Sequence, residues 1–276
     1  MNEKRWYYFL IVIGSVLTVW FCIMPFMYMV LTSLSDKPDF LSAQIGFNAS
    51  LRHYHALFST RSLHFIDFLR NSVIISFASA LACMLIASLA AYAVTRLPLR
   101  GKSGILFFVL AVSMFPQISL ISYLFKLMTR LGWVNTYFAL LFPYISWTLP
   151  LALWVLVSYF AQIPLELDNA ALIDGCSRWQ ILYKVIFPVA TPGLISTFLL
   201  AFIFAFNEFM FALILTTDHS ARTIPVGIAL FEGLHGQIPW GTIMAGSAIA
   251  VIPVIMVTIV FQRYIIQGLT HGAVKG

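Results

Sequence analysis

Two short groups of residues have the composition of chemical sites, and neither is complete. Gly101-Lys102-Ser103 matches the end of the phosphate-binding pattern G-x-x-x-x-G-K-S, but Arg96 occupies the position of its first glycine. The pattern therefore predicts no ATP hydrolysis by this segment. His53 and His55 alternate in a polar stretch without neighbouring cysteine or carboxylate ligands, which makes a weak metal site. We predict a non-catalytic chain that binds neither a metal nor a cofactor.

A third candidate is the pair Asn207-Glu208, which lies inside an apolar run of the sequence. Ionisable residues within a membrane are costly and usually face a cavity or a partner. Three interpretations remain open for this pair: a polar lining of a translocation path, a bond to a partner subunit, or a structural hydrogen bond within a helix bundle. A proton relay is less favoured, because Glu208 has no nearby intramembrane Lys, Arg or His.

Composition identifies lipid as the solvent for most of the chain. Of its 276 residues, 61% are hydrophobic and 9% are charged, whereas soluble domains carry about 25% charged residues. The net charge of +6 is not concentrated in a basic block, so it indicates juxtamembrane Lys and Arg rather than nucleic-acid binding. Three cysteines do not suggest a disulfide framework.

Six apolar runs have the length of about 20 residues that a membrane helix requires. The predicted spans are residues 6–32, 68–94, 104–127, 137–160, 193–216 and 242–266. We therefore predict an all-α membrane protein with one transmembrane domain over residues 1–276 and both termini on the same side. Met114-Phe115-Pro116-Gln117 interrupts the third span, and Pro143 and Pro150 interrupt the fourth.

The polar segment between the fourth and fifth spans, residues 161–192, is termed the coupling loop here. Pro164 suits the first turn of a helix, and Gly175 can adopt the left-handed conformation that ends it. Ser177 and Gln180 form a capping-box pattern that predicts a second helix, which Pro188 ends. One apolar face is expected on this second helix, made by Trp179, Leu182, Tyr183 and Ile186.

Three motifs carry a resemblance to a known family. The sequence N-A-A-L-I-D-G at Asn169–Gly175, followed by Pro188, resembles the E-A-A-x-x-x-G loop of binding-protein-dependent ABC importer permeases. Phe206–Phe209 resembles the W-N-E-F motif of the following span. Gly268–Gly276 resembles the G-L-T-x-G-A-V-K-G tail of MalG-type sugar permeases. One departure is Asn169, which replaces the motif's glutamate.

The resemblance implies a type I ABC importer permease fold in a bacterial cytoplasmic membrane, with the coupling loop and both termini in the cytosol. It implies half of a translocation pathway for a disaccharide or oligosaccharide such as trehalose or maltose. The implied partners are a second permease, an extracytoplasmic sugar-binding protein and an ATPase dimer that binds ATP and Mg. The residues expected to couple to the ATPase are Glu166, Asp168, Asn169, Ala170, Ala171, Asp174, Gly175 and Lys275.

The resemblance also gives candidates for the substrate path and for docking. Asn207, Glu208, Phe204 and Trp147 are candidates for the path, although aromatic residues also pack ordinary membrane helices. Residues 217–241 would form an external loop. Its Phe231, Leu234 and Trp240 would contact the binding protein or pack back on the bundle.

The alternative functions are less favoured by the residues. An ABC permease for another solute, such as glycerol phosphate or a polyol, would show the same coupling loop. A secondary transporter predicts paired intramembrane charges or repeated broken helices, and the sequence shows one intramembrane acid and no obvious repeat. A membrane enzyme predicts clustered His, Asp or Glu, whereas the six histidines are scattered.

Overall fold

The computed structural model describes residues 2–36, 49–60, 63–231 and 238–273, most of which are helical. The helices are α1 (Asn2–Leu34), α2 (Arg52–Ser59), α3 (Phe65–Arg96), α4 (Lys102–Ser113), α5 (Gln117–Arg130), α6 (Tyr137–Phe160), α7 (Leu165–Ile173), α8 (Arg178–Ile181), a π-helix (Leu182–Ile186), α9 (Phe187–Val189), α10 (Thr191–Phe206), α11 (Met210–Leu215), α12 (Ile224–Ala229) and α13 (Trp240–Ala273). The predicted all-α class is confirmed.

Four of the described helices are each long and apolar enough to cross a membrane. They are Trp6–Leu34, Phe65–Arg96, Tyr137–Phe160 and Trp240–Tyr264. These helices coincide with the first, second, fourth and sixth predicted spans. The number of candidate crossings rises to six if each of two bent helix pairs counts as one span.

The third predicted span is broken into α4 and α5, which meet at an angle of 86°. The backbone N–H of Met114 closes the last turn of α4 onto Ala111, at 3.2 Å. Pro116 then lacks an N–H and adopts an extended ψ of 126°, so the helix does not continue through it. The interruption predicted at Met114–Gln117 is confirmed.

The fifth predicted span also differs from a single helix. α10 ends at Phe206, and a separate short helix, α11, follows at Met210. At its other end α10 is bent by 81° against the preceding segment Arg178–Val189. The polar pair Asn207-Glu208 occupies the gap between α10 and α11, where side chains rather than a continuing helix satisfy backbone groups.

The interruption predicted at Pro143 and Pro150 in the fourth span is wrong, because α6 continues through both prolines. Pro143 and Pro150 lie inside the helix Tyr137–Phe160 and are buried. Neighbouring groups can satisfy carbonyls that a proline leaves free, so a buried proline need not end a membrane helix.

The chain packs as two compact units. The first comprises Met1–Ile66 and Gly227–Ile252, and the second comprises Asp67–Val226 and Pro253–Gly276. Within the first unit, the His53 ring contacts the Ser35 carbonyl at 3.0 Å and the Thr242 hydroxyl at 3.2 Å. His53 thus links Ser35, which directly follows α1, to the start of α13.

The second unit contains the coupling loop, and its core joins α3, α5, α6 and α11. The larger buried side chains of this core are Ile75, Ile121, Met128, Leu140, Tyr144, Phe211 and Leu215. α6 also packs along α10, where Gly193 lies under the ring of Tyr159. Close packing at small residues is the usual way in which membrane helices associate.

Candidate coupling surface and translocation path

The first helix of the coupling loop, α7, begins and ends as its sequence predicts. Pro164 precedes the first turn, and Gly175 follows the last turn with φ +79°. The Gly175 N–H donates to the Leu172 carbonyl at 3.1 Å, and the Cys176 N–H donates to the Ala171 carbonyl at 2.9 Å. This pair of bonds is a Schellman motif, which satisfies carbonyls that a helix end would otherwise expose.

The second helix begins with the predicted capping box. The Gln180 N–H donates to the Ser177 hydroxyl at 3.3 Å, and the Ser177 N–H donates to the Gln180 side-chain oxygen at 2.7 Å. Each side chain therefore satisfies a backbone donor of the other residue. The turn between α7 and α8 is fixed by bonds within the loop.

The predicted apolar face of this second helix is wrong in two of its four residues. Leu182 and Ile186 are buried as predicted, but Trp179 and Tyr183 are 67% and 52% exposed, and Ile181 is buried instead. The cause is the π-helix at Leu182–Ile186, whose wider i→i+5 turn shifts the side-chain phase. The prediction that Pro188 ends this helix is also wrong, because Pro188 lies inside α9 (Phe187–Val189), which follows the π-helix directly.

The predicted coupling residues separate into an exposed group and a buried group. Those with exposed side chains or backbone are Glu166, Asn169, Ala170, Asp174 and Gly175. Asp168 and Ala171 are 3% and 7% exposed, so their side chains face the protein rather than the outer surface of α7. Lys275 lies outside the described residues.

The Asp168 carboxylate faces the guanidinium of Arg96, the last residue of α3. The distance from Arg96 Nε to Asp168 Oδ2 is 3.3 Å, and the two side chains are 3% and 4% exposed. Arg96 Nη2 also donates to the Ile163 carbonyl at 2.8 Å. The sequence analysis named Arg96 only as the residue that replaces the first glycine of a phosphate-binding pattern, so this pairing is new.

The polar pair predicted for the translocation path caps two helix ends. The Glu208 carboxylate accepts hydrogen bonds from the N–H groups of Phe211 and Ala212, at 2.8 and 3.2 Å. Asn207 Nδ2 donates to the Ile203 carbonyl at 2.8 Å, and this residue is exposed. Both side chains therefore satisfy backbone groups at the break between α10 and α11.

A cavity of about 670 Å³ lies between α4, α5, α6 and α11. Its wall is mainly apolar and aromatic, and it includes Phe115, Trp133, Phe142, Trp147 and Phe211. Trp147 lies edge-on to Phe211, with 6.4 Å between the ring centroids. Of the four residues predicted for the path, Trp147 lines this cavity, whereas Phe204, Asn207 and Glu208 do not. Ligand sites of this size are commonly lined by apolar groups.

The beginning of the predicted external loop is held by a polar network. Asn71 Nδ2 donates to the carbonyls of His219 and Arg222, at 3.1 and 3.0 Å, and the Tyr137 hydroxyl donates to Asn71 Oδ1 at 2.6 Å. The side chains of Asn135 and Ser72 bind the same segment, the first through Ser220 and the second through the N–H of Ile224. Residues 217–224 are thus tied to α3 and to the turn before α6.

The same network perturbs an acid outside the predicted spans. The Asn135 side chain and the Ser220 backbone N–H lower the pKa of Asp218 from 3.8 to about 2.

Of the apolar residues predicted for docking, Phe231 is 7% exposed and Trp240 is 42% exposed, whereas Leu234 lies outside the described residues. Of the two docking candidates that the structure describes, Trp240 is therefore the one whose side chain is exposed.

Comparison with known proteins relates this architecture to membrane transport. The chain is 52% identical to the trehalose/maltose transport system permease protein MalG of Thermococcus litoralis, over 277 residues and 100% of both chains. It is 37% identical to the trehalose transport system permease protein SugB of Mycobacterium tuberculosis, again over 100% of both chains. It is 38% identical to the sulfoquinovosyl glycerol transport system permease protein SmoH of Agrobacterium fabrum, covering 91% of this chain and 88% of the relative.

Solved structures share the fold at lower identity. A chain of a bacterial ABC transporter involved in the import of the acidic polysaccharide alginate superposes with a TM-score of 0.80 at 19% identity, covering 96% of this chain and 98% of that one. A chain of the MetNI methionine ABC transporter superposes with a TM-score of 0.57 at 17% identity, covering 76% of this chain and 98% of that one. The helices thus form the transmembrane fold of ABC importers.

The family comparison agrees with the fold. Residues 83–271 match the model of the binding-protein-dependent transport system inner membrane component. This match covers most of the chain, from the middle of α3 to the end of α13, and includes the entire coupling loop. The chain therefore belongs to the family of inner membrane components of binding-protein-dependent transport systems.

Proposed function

We propose that the chain is the permease subunit of an ABC importer that provides half of the translocation path for a disaccharide or oligosaccharide such as trehalose or maltose. The observation that carries this assignment is the 52% identity, over the full length of both chains, to a relative named for trehalose and maltose. A second full-length relative, at 37% identity, is named for trehalose. Because these similarities extend over the whole chain, they include every helix that can line the path.

Energy for transport would come from a partner ATPase dimer that binds ATP and Mg. This proposal is supported by the outer face of α7, where Glu166, Asn169 and Asp174 are exposed. The exposed side chains of Ile173 and Trp179, at 87% and 67%, add an apolar component to the same end of the coupling loop. Exposed apolar residues next to polar ones are typical of a protein interface.

Transport would follow from rigid-body motion driven at the coupling loop. Closure of the ATPase dimer would displace α7, and the attached membrane helices would rotate to expose the path to the opposite side. This mechanism places the coupling loop and both termini in the cytosol. It places residues 217–241 outside, toward an extracytoplasmic sugar-binding protein. A second, homologous permease would complete the path.

A related solute class is the second candidate. The relative of Agrobacterium fabrum, at 38% identity over 255 residues, is named for sulfoquinovosyl glycerol. This identity is close to that of the trehalose relative, so it supports a glycosylated polyol nearly as well. The shared chemistry is a polyhydroxylated solute, which polar side chains and aromatic faces can bind together.

Reconstituted transport tests the proposal. The chain is placed in proteoliposomes with its second permease and ATPase, the binding protein is added to the outside, and uptake of radiolabelled trehalose, maltose and a glycosyl glycerol is compared. We expect ATP-dependent uptake of a disaccharide. Equal uptake from proteoliposomes that lack the ATPase would contradict the importer mechanism, and uptake of the glycosyl glycerol alone would support the second candidate.

Two variants test the contact with the ATPase. Cys176 follows the Gly175 turn and is partly exposed, so we expect a thiol-reactive crosslinker to join it to the ATPase. Cys176→Ser should abolish the product, since Cys22 and Cys83 lie in predicted spans. Asn169→Glu restores the motif's glutamate on the exposed face and should preserve uptake. A product that persists in the serine variant would mean that the crosslink forms elsewhere.

A further inference from the structure

The ion pair between Arg96 and Asp168 is buried at the base of the coupling loop. Their side chains are 3% and 4% exposed, whereas those of the ion pair between Arg52 and Asp36 are 72% and 40% exposed. Charges taken out of water are costly and are kept where they are paired, and an exposed pair contributes little. The burial therefore distinguishes the Arg96–Asp168 pair from an ordinary surface contact.

Arg96 contacts the coupling loop at two points, one inside α7 and one just before it. Its Nε lies 3.3 Å from Asp168 Oδ2 in the first turn, and its Nη2 donates to the carbonyl of Ile163, the residue before Pro164, at 2.8 Å. The contact with Asp168 is an ion pair without hydrogen-bond geometry, and the contact with Ile163 is a hydrogen bond. A planar guanidinium can make both contacts at once, which a single ammonium cannot. Two contacts on the same helix start resist pivoting of α7 better than one contact does.

Arg96 is also the final residue of α3, a helix that is long enough to span the membrane. The side chains of α7 divide around this contact. Asp168 and Ala171 face inward and are buried, while Glu166 and Asn169 lie on the outer face. A force applied to the outer face of α7 would therefore reach α3 through the buried pair.

We propose that Arg96 is a positioning residue that ties α7 to α3, so that displacement of α7 by the ATPase is transmitted to a membrane helix. This inference rests on the proposed importer function and extends it to one route of transmission. Arg96 and Asp168 need not contact ATP, ATPase or sugar for this role. Two sites that act on the same rigid element are energetically coupled through it. In this importer the coupling is measured as the amount of sugar taken up per ATP hydrolysed.

The test measures sugar uptake per ATP hydrolysed by the complete importer in proteoliposomes. The variants are Arg96→Gln, Asp168→Asn and the exchanged pair Arg96→Asp with Asp168→Arg. The controls are Arg100→Gln, an exposed arginine four residues after Arg96, and Asp36→Asn, the acid of the exposed ion pair with Arg52. We expect the single variants to hydrolyse ATP but to lose about 5- to 10-fold in uptake per ATP, within the usual range of couplings between sites.

The exchanged pair should regain most of the ratio, and the controls should keep it. An unchanged ratio in assembled Arg96→Gln and Asp168→Asn complexes would overturn the proposal. Failure of the wild-type importer to use ATP for uptake would instead overturn the proposed function, because every ratio is read against the wild type.

If the single variants fail to assemble, Arg96→Lys provides a second test. Lysine keeps the positive charge beside Asp168, so the buried carboxylate stays paired, but it cannot also hold the Ile163 carbonyl as the guanidinium does. A lowered ratio in this assembled variant supports the proposal. A ratio equal to that of the wild type overturns the two-point attachment, since the charge beside Asp168 would then suffice.

Discussion

The ring of Tyr159 in α6 covers Gly193 in α10 so closely that a Cβ at position 193 would lie 2.6 Å from the ring carbon Cγ. The clash involves the root of the ring, which cannot move away by rotation of a flexible chain end. The two helices therefore approach each other at a point that only glycine permits. Tyr159 lies just before the coupling loop and Gly193 directly follows it, so the contact lies where this loop joins α6 and α10.

We expect Gly193→Ala to destabilise the folded protein by about 1–3 kcal/mol, as overpacking of a close contact does. Gly104→Ala is the matched control, because it also lies in a helix and its Cβ would meet no atom within 4 Å. The measurement is thermal denaturation of the purified protein in detergent. Equal melting temperatures for the two variants would show that α6 and α10 can separate at no cost.

Gly175 should tolerate asparagine and reject valine. Its φ of +79° lies in the left-handed region, where an L-residue costs roughly 1–2 kcal/mol and a β-branched residue more. Space is not the reason, since a Cβ there would meet nothing within 4 Å. We expect Gly175→Val to insert in the membrane and lose uptake, while Gly175→Asn retains it. Full uptake by the valine variant would argue against a fixed turn.

Substitutions at Glu208 distinguish a role of its negative charge in the translocation path from a role of its side chain as a helix cap. Glutamine keeps an oxygen that can accept from the Phe211 or Ala212 N–H, whereas leucine keeps none. If Glu208 caps α11, Glu208→Gln should retain uptake, and Glu208→Leu should lose about 0.5–2 kcal/mol of stability, as lost helix caps do. Uptake and thermal denaturation are measured together. A glutamine variant that is stable but inactive would assign the negative charge to the translocation path.

Asp218 should respond to acid in a defined direction. Its folded-state pKa of about 2 is below its ordinary value of 3.8, so its stabilising contribution is present above pH 3.8 and is lost as pH falls toward 2. The side chain is exposed, so the effect on overall stability is small. Asn135→Ala should raise the pKa toward 3.8, as followed by NMR of a labelled carboxyl group. Asn207→Ala, which removes an unrelated amide, should leave it unchanged.

Much of the helix plan could be predicted because its signals are local. Apolar runs gave four spans, Pro116 gave the break in the third, and Gly175 and the Ser177–Gln180 box gave the two ends of the coupling turn. Each depends on residues within one or two turns of each other.

The remaining features depend on contacts between distant residues or on a change of helix period. The pairing of Arg96 with Asp168 joins two helices that are far apart in the sequence, so no pattern of spacing indicates it. The exposure of Trp179 and Tyr183 follows from a π-turn that a regular helical period does not anticipate. The hydrogen bonds of Glu208 to the Phe211 and Ala212 N–H groups could not be predicted, because these donors become free only where the helix breaks beside it.

The coupling turn has a consequence for association with a partner. The Schellman bonds at Gly175 and Cys176 and the capping box at Ser177 close the turn with groups of the same loop. Docking then fixes few additional backbone torsions, so little conformational entropy is lost when a partner binds. We therefore expect association at this loop to resemble the meeting of two preformed surfaces rather than folding upon binding.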